Sequence, residues 1–403
     1  MNILFLTLIE FNSITDRGIY SDLMREFIKN NHHVYIISPN ERRNKQETHI
    51  VETENCNILK VKIGNIQKTN IVEKGISTLF IESKFMKAIN NYFYNIKFDL
   101  ILYSTPPITF FGVVKKIKER HNARSYLMLK DIFPQNAVDL QMFSKKGIVY
   151  KFFRKKEKDL YLISDYIGCM SQANINFLLK HNKQIDVKKI ELCHNSIEPV
   201  NFEQIETNHI RQIYSIPSET TVFIYGGNLG KPQCVDFIIE TLKYNSNLDD
   251  RYFVICGNGT DYYKLEKFMV EFKPRNITLM KGLPKDEYDK LLSCCDVGLL
   301  FLDKRFTIPN FPSRLLSYME YAMPIIACTD VNTDVGQVIE SGEFGFWCES
   351  SDKTELKKII DAICKMDKSK LERMGKNARI YLENNYTVED TYKTIIKHFE
   401  QET

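Results

Sequence analysis

Short apolar runs alternate with amphipathic stretches along almost the whole chain. In the first half, the runs that predict strands are "NILFLTL", "HVYIIS", "DLILYS", "RSYLMLK", "DYIGCM" and "KIELCH". The amphipathic stretches predict helices at Ile19–Asn30, Thr109–Arg120, Lys146–Ile163 and Ala173–Lys180. Repeated strand–helix units predict a parallel sheet with helices on both faces.

A polar segment, "NSIEPVNFEQIETNHI", interrupts this alternation near the middle of the chain. Beyond it, the strand-like runs are "TVFIYGG", "YFVICGNG", "ITLMKG", "VGLLFL", "MPIIACTD" and "FGFWCES", which predict a second doubly wound unit. A chain of 403 residues is too long for one core. We therefore predict two Rossmann-like α/β domains, 1–197 and 198–386, with a C-terminal helix at 387–403 that packs back on the first.

The composition, with 43% hydrophobic and 26% charged residues, is that of a water-soluble globular protein. No apolar run approaches the ~18 residues of a membrane span. We interpret the start, "MNILFLTLIEF", as a buried strand because no basic segment precedes it and Glu10 interrupts it. The ten cysteines form no CxxC pair, which favours free thiols in a reducing cytoplasm.

Charge is distributed unevenly between the two halves. Residues 1–200 carry 30 Lys and Arg against 20 Asp and Glu, a net of +10, whereas the remainder carries 25 against 31, a net of −6. The first half is therefore expected to face an anionic partner, such as a membrane surface or a phosphate-bearing substrate.

Glycines cluster at predicted strand ends in the second half. "IYGGNLGKPQCVDF" has the order strand, glycine loop, helix, and such a loop can direct N–H groups at a phosphate while Lys231 adds charge. The alternative is a turn that needs glycine for its backbone alone. Gly257 in "ICGNG" and Gly282 in "LMKGLP" follow the next two strands in the same way.

The stretch "IPNFPSRLLSYMEYAMPII" places a helix start after the fourth strand of this half. Ser313 is the predicted N-cap and Arg314 the first helical residue. The periodicity puts Arg314, Ser317, Tyr318 and Tyr321 on one face and Leu315, Leu316 and Met319 on the buried side. An arginine at a helix start can bind a diphosphate through charge-assisted hydrogen bonds. The alternative is that Arg314 forms an ion pair at the protein surface.

Together, "GGNLG", "ICGNG", "MKGLP", "LLSCCDVGLL" and "PSRLLSYMEYAMPIIA" resemble the donor domain of the retaining family-four glycosyltransferases of GT-B fold. "DRGIYSDLMREF", "STPPITFFGVV" and "LMLKDIFPQNAVDL" are similar to the branch that builds capsular polysaccharide, exopolysaccharide and O-antigen. The resemblance implies two domains facing across a cleft, an N-terminal one for the acceptor and a C-terminal one for a nucleotide-sugar. It also implies that neither a metal nor another cofactor is needed.

The resemblance further implies which residues form the site. The implied catalytic residues are Asp131, Arg314 and Lys231. The implied donor-binding residues are Gly18, Gly227, Asn228, Gly230, Gly257, Gly282, Leu283, Ser313, Ser317 and Glu320.

The chain departs from the family pattern at several of these places. The family's pair of glutamates falls on Pro309 and Ser317, so Glu320 is the candidate for a ribose contact, with a solvated helix residue as the alternative. The family's usual arginine and lysine after the first donor-domain strand fall on Asn228 and Gln233. Arg314 and Lys231 would have to supply the positive charge instead.

On the acceptor side, Asp131 follows a predicted strand in "LMLKDIFPQ". A carboxylate at a strand end can take the proton of an acceptor hydroxyl. The alternative is that Asp131 caps the following turn. Lys130 stands where the family often has a histidine.

The resemblance and the basic first half predict a glycosyltransferase that moves a sugar from a nucleotide-sugar to a polyprenyl-linked saccharide. The expected nucleotide-sugar is a UDP-sugar. The alternatives are a UDP-sugar epimerase of the same fold and a non-catalytic scaffold of a polysaccharide-assembly complex. The expected location is cytoplasmic, peripheral on the inner face of the cell membrane, and no nucleic acid is expected as a partner.

We predict that the segment 145–158, "KKGIVYKFFRKKEK", binds the membrane surface. On a helix its apolar residues Ile148, Val149 and Phe152 share a side, with Phe153 at the edge. Seven basic residues surround them: Lys145, Lys146, Lys151, Arg154, Lys155, Lys156 and Lys158. The alternative is that the apolar residues belong to the core.

Overall fold

The computed structural model describes residues 1–66, 71–201 and 207–399. The chain divides into two compact units, one of Met1–Glu198 with Val388–Thr403 and one of Pro199–Thr387. Each unit is built on its own sheet, of eight strands in the first and six in the second. The predicted fold class, two Rossmann-like parallel-sheet units, is confirmed.

The first sheet has the strand order β3-β4-β2-β1-β5-β6-β7-β8 and is parallel except for the β3–β4 hairpin at its edge. Its strands are β1 (Asn2–Leu6), β2 (His33–Glu41), β3 (His49–Thr53), β4 (Cys56–Ile63), β5 (Leu100–Ser104), β6 (Arg124–Leu129), β7 (Tyr166–Cys169) and β8 (Ile190–Leu192). The helices of this unit are α1 (Ile19–Lys29), α2 (Ile71–Tyr92), α3 (Phe111–His121), α4 (Gln135–Asp139), α5 (Ile148–Ile163) and α6 (Gln172–His181).

The second unit begins with helix α7 (Thr207–Ile213), and the strands that come after it form a wholly parallel sheet. Its strands are β9 (Thr221–Asn228), β10 (Arg251–Asn258), β11 (Ile277–Met280), β12 (Val297–Phe301), β13 (Ile325–Thr329) and β14 (Gly345–Glu349). Its other helices are α8 (Val235–Asn245), α9 (Tyr262–Phe272), α10 (Lys285–Leu292), α11 (Arg314–Glu320), α12 (Val335–Ser341), α13 (Lys353–Cys364) and α14 (Lys368–Asn385).

A last helix, α15 (Val388–Ile396), returns to the first unit. Its Tyr392 packs edge-on against Phe27 of α1, with 5.0 Å between ring centroids. The Thr391 and Ser196 hydroxyls lie 2.7 Å apart, within hydrogen-bond distance. Because Val388, Tyr392, Ile395 and Ile396 are buried in the same core as β1 and β2, α15 completes the first unit.

The strand order β11-β10-β9-β12-β13-β14 places a topological switch point between β9 and β12. Helices leave the carboxyl ends of β9 and β12 toward opposite sides of such a sheet, which opens a crevice where ligands bind. The strands that flank this crevice have fully buried apolar side chains, as expected for a sheet covered on both faces.

Candidate functional site

Glycines line the carboxyl end of β9 at the switch point. Gly227 has φ +124°, a backbone conformation that side chains with a Cβ rarely adopt. A Cβ on Gly227 would lie 3.1 Å from Nη2 and 3.3 Å from Cζ of Arg314. The end of β9 therefore lies directly against the Arg314 guanidinium, as the two sequence motifs predict for a shared site.

The other predicted glycines lie around the same crevice. A Cβ on Gly257 would lie 1.9 Å from the Gly227 carbonyl oxygen, so glycine here lets the ends of β9 and β10 approach each other. A Cβ on Gly282 would lie 2.5 Å from the Asn258 side chain, and one on Gly230 would lie 3.3 Å from the Asn228 and Thr260 side chains. Leu283, half-buried, follows Gly282.

Arg314 is the first residue of α11, and Ser313 stands at the N-cap position. Ser313 is therefore the N-cap residue as predicted, although it has helical backbone angles and its side chain accepts no capping hydrogen bond. The Arg314 guanidinium carbon lies 4.4 Å from the centroid of the Tyr225 ring. Its Nη1 is buried and has no hydrogen-bond partner among the described residues, so the alternative of a surface ion pair is not what the structure shows.

Three tyrosines surround this guanidinium. Tyr225 lies beneath it, and the hydroxyl of Tyr288 on α10 packs so close to Gly226 that a Cβ there would overlap it. Tyr318, predicted on the open face with Arg314, is instead fully buried. Its hydroxyl accepts a hydrogen bond from Gly226 N–H at 3.2 Å and donates toward the Leu299 carbonyl at 3.0 Å.

Burial raises the pKa of Tyr318 to about 12, and the positive charge of Arg314 opposes that rise. Tyr318 is therefore a neutral hydrogen-bonding residue at physiological pH, and Arg314 keeps its full positive charge. Aromatic faces stabilise a guanidinium without neutralising it. The sequence analysis missed Tyr225 and Tyr288 because an aromatic residue in a strand or helix predicts only burial.

Replacing Tyr318 with phenylalanine should lower the free energy of unfolding of the second unit by about 1–3 kcal/mol, because the buried Gly226 N–H would lose its partner. Urea denaturation followed by the fluorescence of Trp347, the single tryptophan, reports on this unit. Tyr263→Phe is the matched control, since that side chain is exposed. Equal stability of the two variants would contradict the role given to the Tyr318 hydroxyl.

Lys231 and Asn228 belong to the loop that follows β9. Lys231 begins the 3-10 turn Lys231–Gln233 and is exposed, and no described carboxylate forms an ion pair with it. Asn228 donates its side-chain N–H to Gln233 Oε1 at 2.7 Å, so these two polar residues fix the loop. Ser317, half-buried, lies one turn after Arg314 on α11.

Glu320 is buried on α11. It is only 3% exposed, and its Oε1 accepts a hydrogen bond from Val200 N–H at 3.2 Å. The solvated-residue alternative is therefore wrong, and the ribose contact stays a prediction. Asp303, the other nearby carboxylate, is paired bidentately with Arg305 at 2.7 and 2.9 Å.

Two of the predicted residues, Asp131 and Gly18, lie in the first unit. Asn136 of α4 donates its side-chain amide to both Asp131 oxygens, at 2.8 and 2.9 Å. Burial raises the pKa of the Asp131 carboxyl to about 6, and the hydrogen bonds from Asn136 and from Ile132 N–H oppose that rise. The result is a carboxylate at the end of β6 that is oriented from one side and gains a proton just below neutral pH.

Lys130 and Gly18 are both engaged within the first unit. The Lys130 ammonium donates to the His194 carbonyl at 3.3 Å, and burial lowers its pKa. Gly18 N–H donates to Asp22 Oδ1 at 2.9 Å, a contact that fixes the start of α1, and its place near the donor stays a prediction. Among the described residues, no group of three or more His, Cys, Asp or Glu side chains is arranged to hold a metal ion.

The chain is similar in sequence to known glycosyltransferases. Residues 206–381 match the family model described as "Glycosyl transferases group 1". The chain is 23% identical over 329 residues to "Probable glycosyltransferase WbjE" of Pseudomonas aeruginosa, covering 81% of this chain and 80% of the relative. It is 22% identical over 183 residues to "Putative colanic acid biosynthesis glycosyl transferase WcaI" of Escherichia coli, covering 44% of each.

The solved structure of Alr3699/HepE from Anabaena in complex with UDP-glucose is similar over the full length of both chains, with a TM-score of 0.71 and 15% sequence identity. This likeness concerns the fold, and the solved neighbours of the chain are GT-B glycosyltransferases. The crevice built around Arg314 lies inside the matched range 206–381. Residues 206–381 of the second unit thus match a Glycosyl transferases group 1 domain, and the chain has the GT-B fold.

Proposed function

We propose that the chain transfers a sugar from a UDP-sugar to a polyprenyl-linked saccharide, with retention, in the synthesis of a bacterial surface polysaccharide. The observation that carries the proposal is the buried, unpartnered Nη1 of Arg314 at the switch point, beside Gly227, within a group 1 glycosyl transferase domain. A guanidinium with no carboxylate partner is suited to the two phosphates of a nucleotide-sugar.

The transfer forms a bond between the acceptor oxygen and the anomeric carbon and breaks the bond from that carbon to the β-phosphate oxygen. The bonding electrons leave with UDP, so negative charge grows on the diphosphate as the sugar departs. Arg314 is fixed by Tyr225 before the reaction and can stabilise this charge without rearrangement. Exposed Lys231, on the adjacent loop, would add a second positive charge.

Asp131 would take the proton of the acceptor hydroxyl. Its carboxylate is held by Asn136, and burial raises its pKa to about 6, close to the working pH. A base with a pKa just below the working pH is both ionised and able to accept a proton. The first unit also carries the positive charge of the chain, which suits a lipid-linked acceptor at the inner face of the cell membrane.

UDP release from a panel of UDP-sugars, with and without a lipid-linked saccharide fraction, tests this function. We expect release only when donor and acceptor are both present. Sugar isomers formed without an acceptor would instead favour an epimerase. Absence of nucleotide binding in calorimetry, together with no turnover, would favour a scaffold and overturn the proposal.

A further inference from the structure

Helix α5 turns an apolar face to solvent. Ile148 is 86% exposed, Val149 50% and Phe152 43%. Ile148 and Phe152 are four residues apart and so lie one above the other on the helix. The opposite face is buried through Glu157 and Tyr161, so the exposed residues are not part of the core, and the core alternative from the sequence is wrong for them.

Lysines accompany this face along α5. Lys151 and Lys155 are exposed along one edge, and Lys156 lies one turn beyond Phe152, with its ammonium 6.0 Å from the Phe152 ring centroid. Lys145 and Lys146 are exposed just before the helix. Across the described ranges, none of these five lysines forms an ion pair with a carboxylate.

Arg154 has to be removed from the predicted set of cations. It pairs with buried Glu157 at 2.5 Å and also donates to Asn182 Oδ1 at 2.6 Å and the His181 carbonyl at 2.9 Å. These contacts tie α5 to the end of α6. On α5 itself, the carboxylate on the exposed side is that of Asp159, about two turns beyond Phe152.

An aromatic chain joins this face to the segment that carries Asp131. Phe152 packs edge-on against Phe153 with centroids 5.3 Å apart, and Phe153 packs edge-on against Phe133 at 5.0 Å. Phe133 also contacts Phe143, at 6.1 Å. Since Phe133 follows Asp131 by two residues, the exposed face lies one aromatic layer from the segment that carries the proposed base.

We propose that Ile148, Val149 and Phe152 enter an anionic bilayer while the five lysines bind its phosphates, and that this docking brings Asp131 to the membrane surface. Charge complementarity selects the partner, because apolar residues ringed by unpaired cations suit anionic lipid. No helix among the described residues is long and apolar enough to cross a bilayer. This membrane docking rests on the proposed function in one respect, because the lipid-linked acceptor is the reason for the protein to reach the bilayer.

Co-sedimentation with phosphatidylglycerol-containing vesicles at low and high salt tests the surface. We expect the wild-type protein to sediment at low salt and to be released at high salt. Each basic side chain near an anionic surface contributes about fivefold in binding, so Lys151, Lys155 and Lys156→Glu should weaken it by at least about 100-fold. The matched control is Lys365, Lys368 and Lys370→Glu, an equal charge change at exposed positions of the second unit, which should bind as wild type does.

Insertion of the apolar face has its own readout. With Trp347→Phe and Phe152→Trp, the only indole lies on the face, and its emission should shift to shorter wavelength when anionic vesicles are added. Ile148→Ser with Phe152→Ser should weaken binding and leave its salt dependence unchanged.

The membrane-docking proposal is contradicted if the wild-type protein stays in solution at low salt, or if the two triple-lysine variants bind the vesicles equally. It is also overturned if the protein is a dimer without lipid and the Ile148/Phe152 variant is a monomer, because the face would then be occupied by a second copy. UDP affinity, a property of the second unit, should be unchanged in every α5 variant. If the wild-type protein did not bind UDP, the proposed function would be contradicted and the membrane-docking result would still stand.

Discussion

Asp131→Asn should lower turnover by about 100- to 10,000-fold and leave UDP affinity unchanged. Asparagine keeps the size of the side chain but cannot accept the proton of the acceptor hydroxyl. UDP affinity should not change because Asp131 lies in the first unit and the proposed diphosphate contacts lie in the second. Initial rates with saturating donor, alongside calorimetric UDP binding, give the two quantities.

The pH dependence provides an independent check on the same residue. The pKa of Asp131 is raised to about 6, so the ionised base is lost as the pH falls through 6. Turnover of the wild type should fall tenfold per pH unit below that value, and the Asn variant should lack this step. A loss of less than tenfold in Asp131→Asn would assign the carboxylate to the structure of the turn, with the proton passing to the leaving phosphate.

Arg314→Ala should weaken UDP binding by about 1.5–3 kcal/mol, about 10- to 150-fold in Kd, the size of one or two charge-assisted hydrogen bonds. Lys231→Ala should act in the same direction with a smaller effect, because its side chain is exposed and screened. Arg373→Ala, which removes an exposed arginine of α14, is the control and should leave Kd unchanged.

Thermal unfolding must accompany the Arg314→Ala measurement, since the guanidinium also packs on Tyr225. Unchanged UDP affinity in a folded Arg314→Ala protein would remove Arg314 from the donor site. Loss of affinity in Arg373→Ala as well would show that net charge, and not this contact, controls binding.

The strands of the second unit were predictable because each is a short apolar run ended by glycine or a polar residue. The hairpin β3–β4 was missed. β3 is a half-exposed edge strand, and β4, "CNILKVKI", buries Lys60, so neither has an uninterrupted apolar pattern. Tertiary contacts here decide what local periodicity does not show.

At the candidate site, the position of Arg314 was predictable from the helix start, but its surroundings were not. Gly226, Tyr288 and Tyr318 come from three separate elements, and only the strand order brings them together. The same is true of Asn136, whose hold on Asp131 depends on how α4 folds back. The burial of Glu320 was not predictable because a single helix turn does not reveal the distant Val200 N–H that it binds.

The return of α15 to the first unit has a consequence for synthesis on the ribosome. The second unit is a continuous segment, Pro199–Thr387, and all of its strands and helices emerge in one stretch. The first unit begins earlier but lacks the Val388, Tyr392, Ile395 and Ile396 side chains of its core until the last helix is made. The nascent chain therefore carries an unfinished N-terminal core, with Phe27 and His32 uncovered, through the translation of the whole second unit.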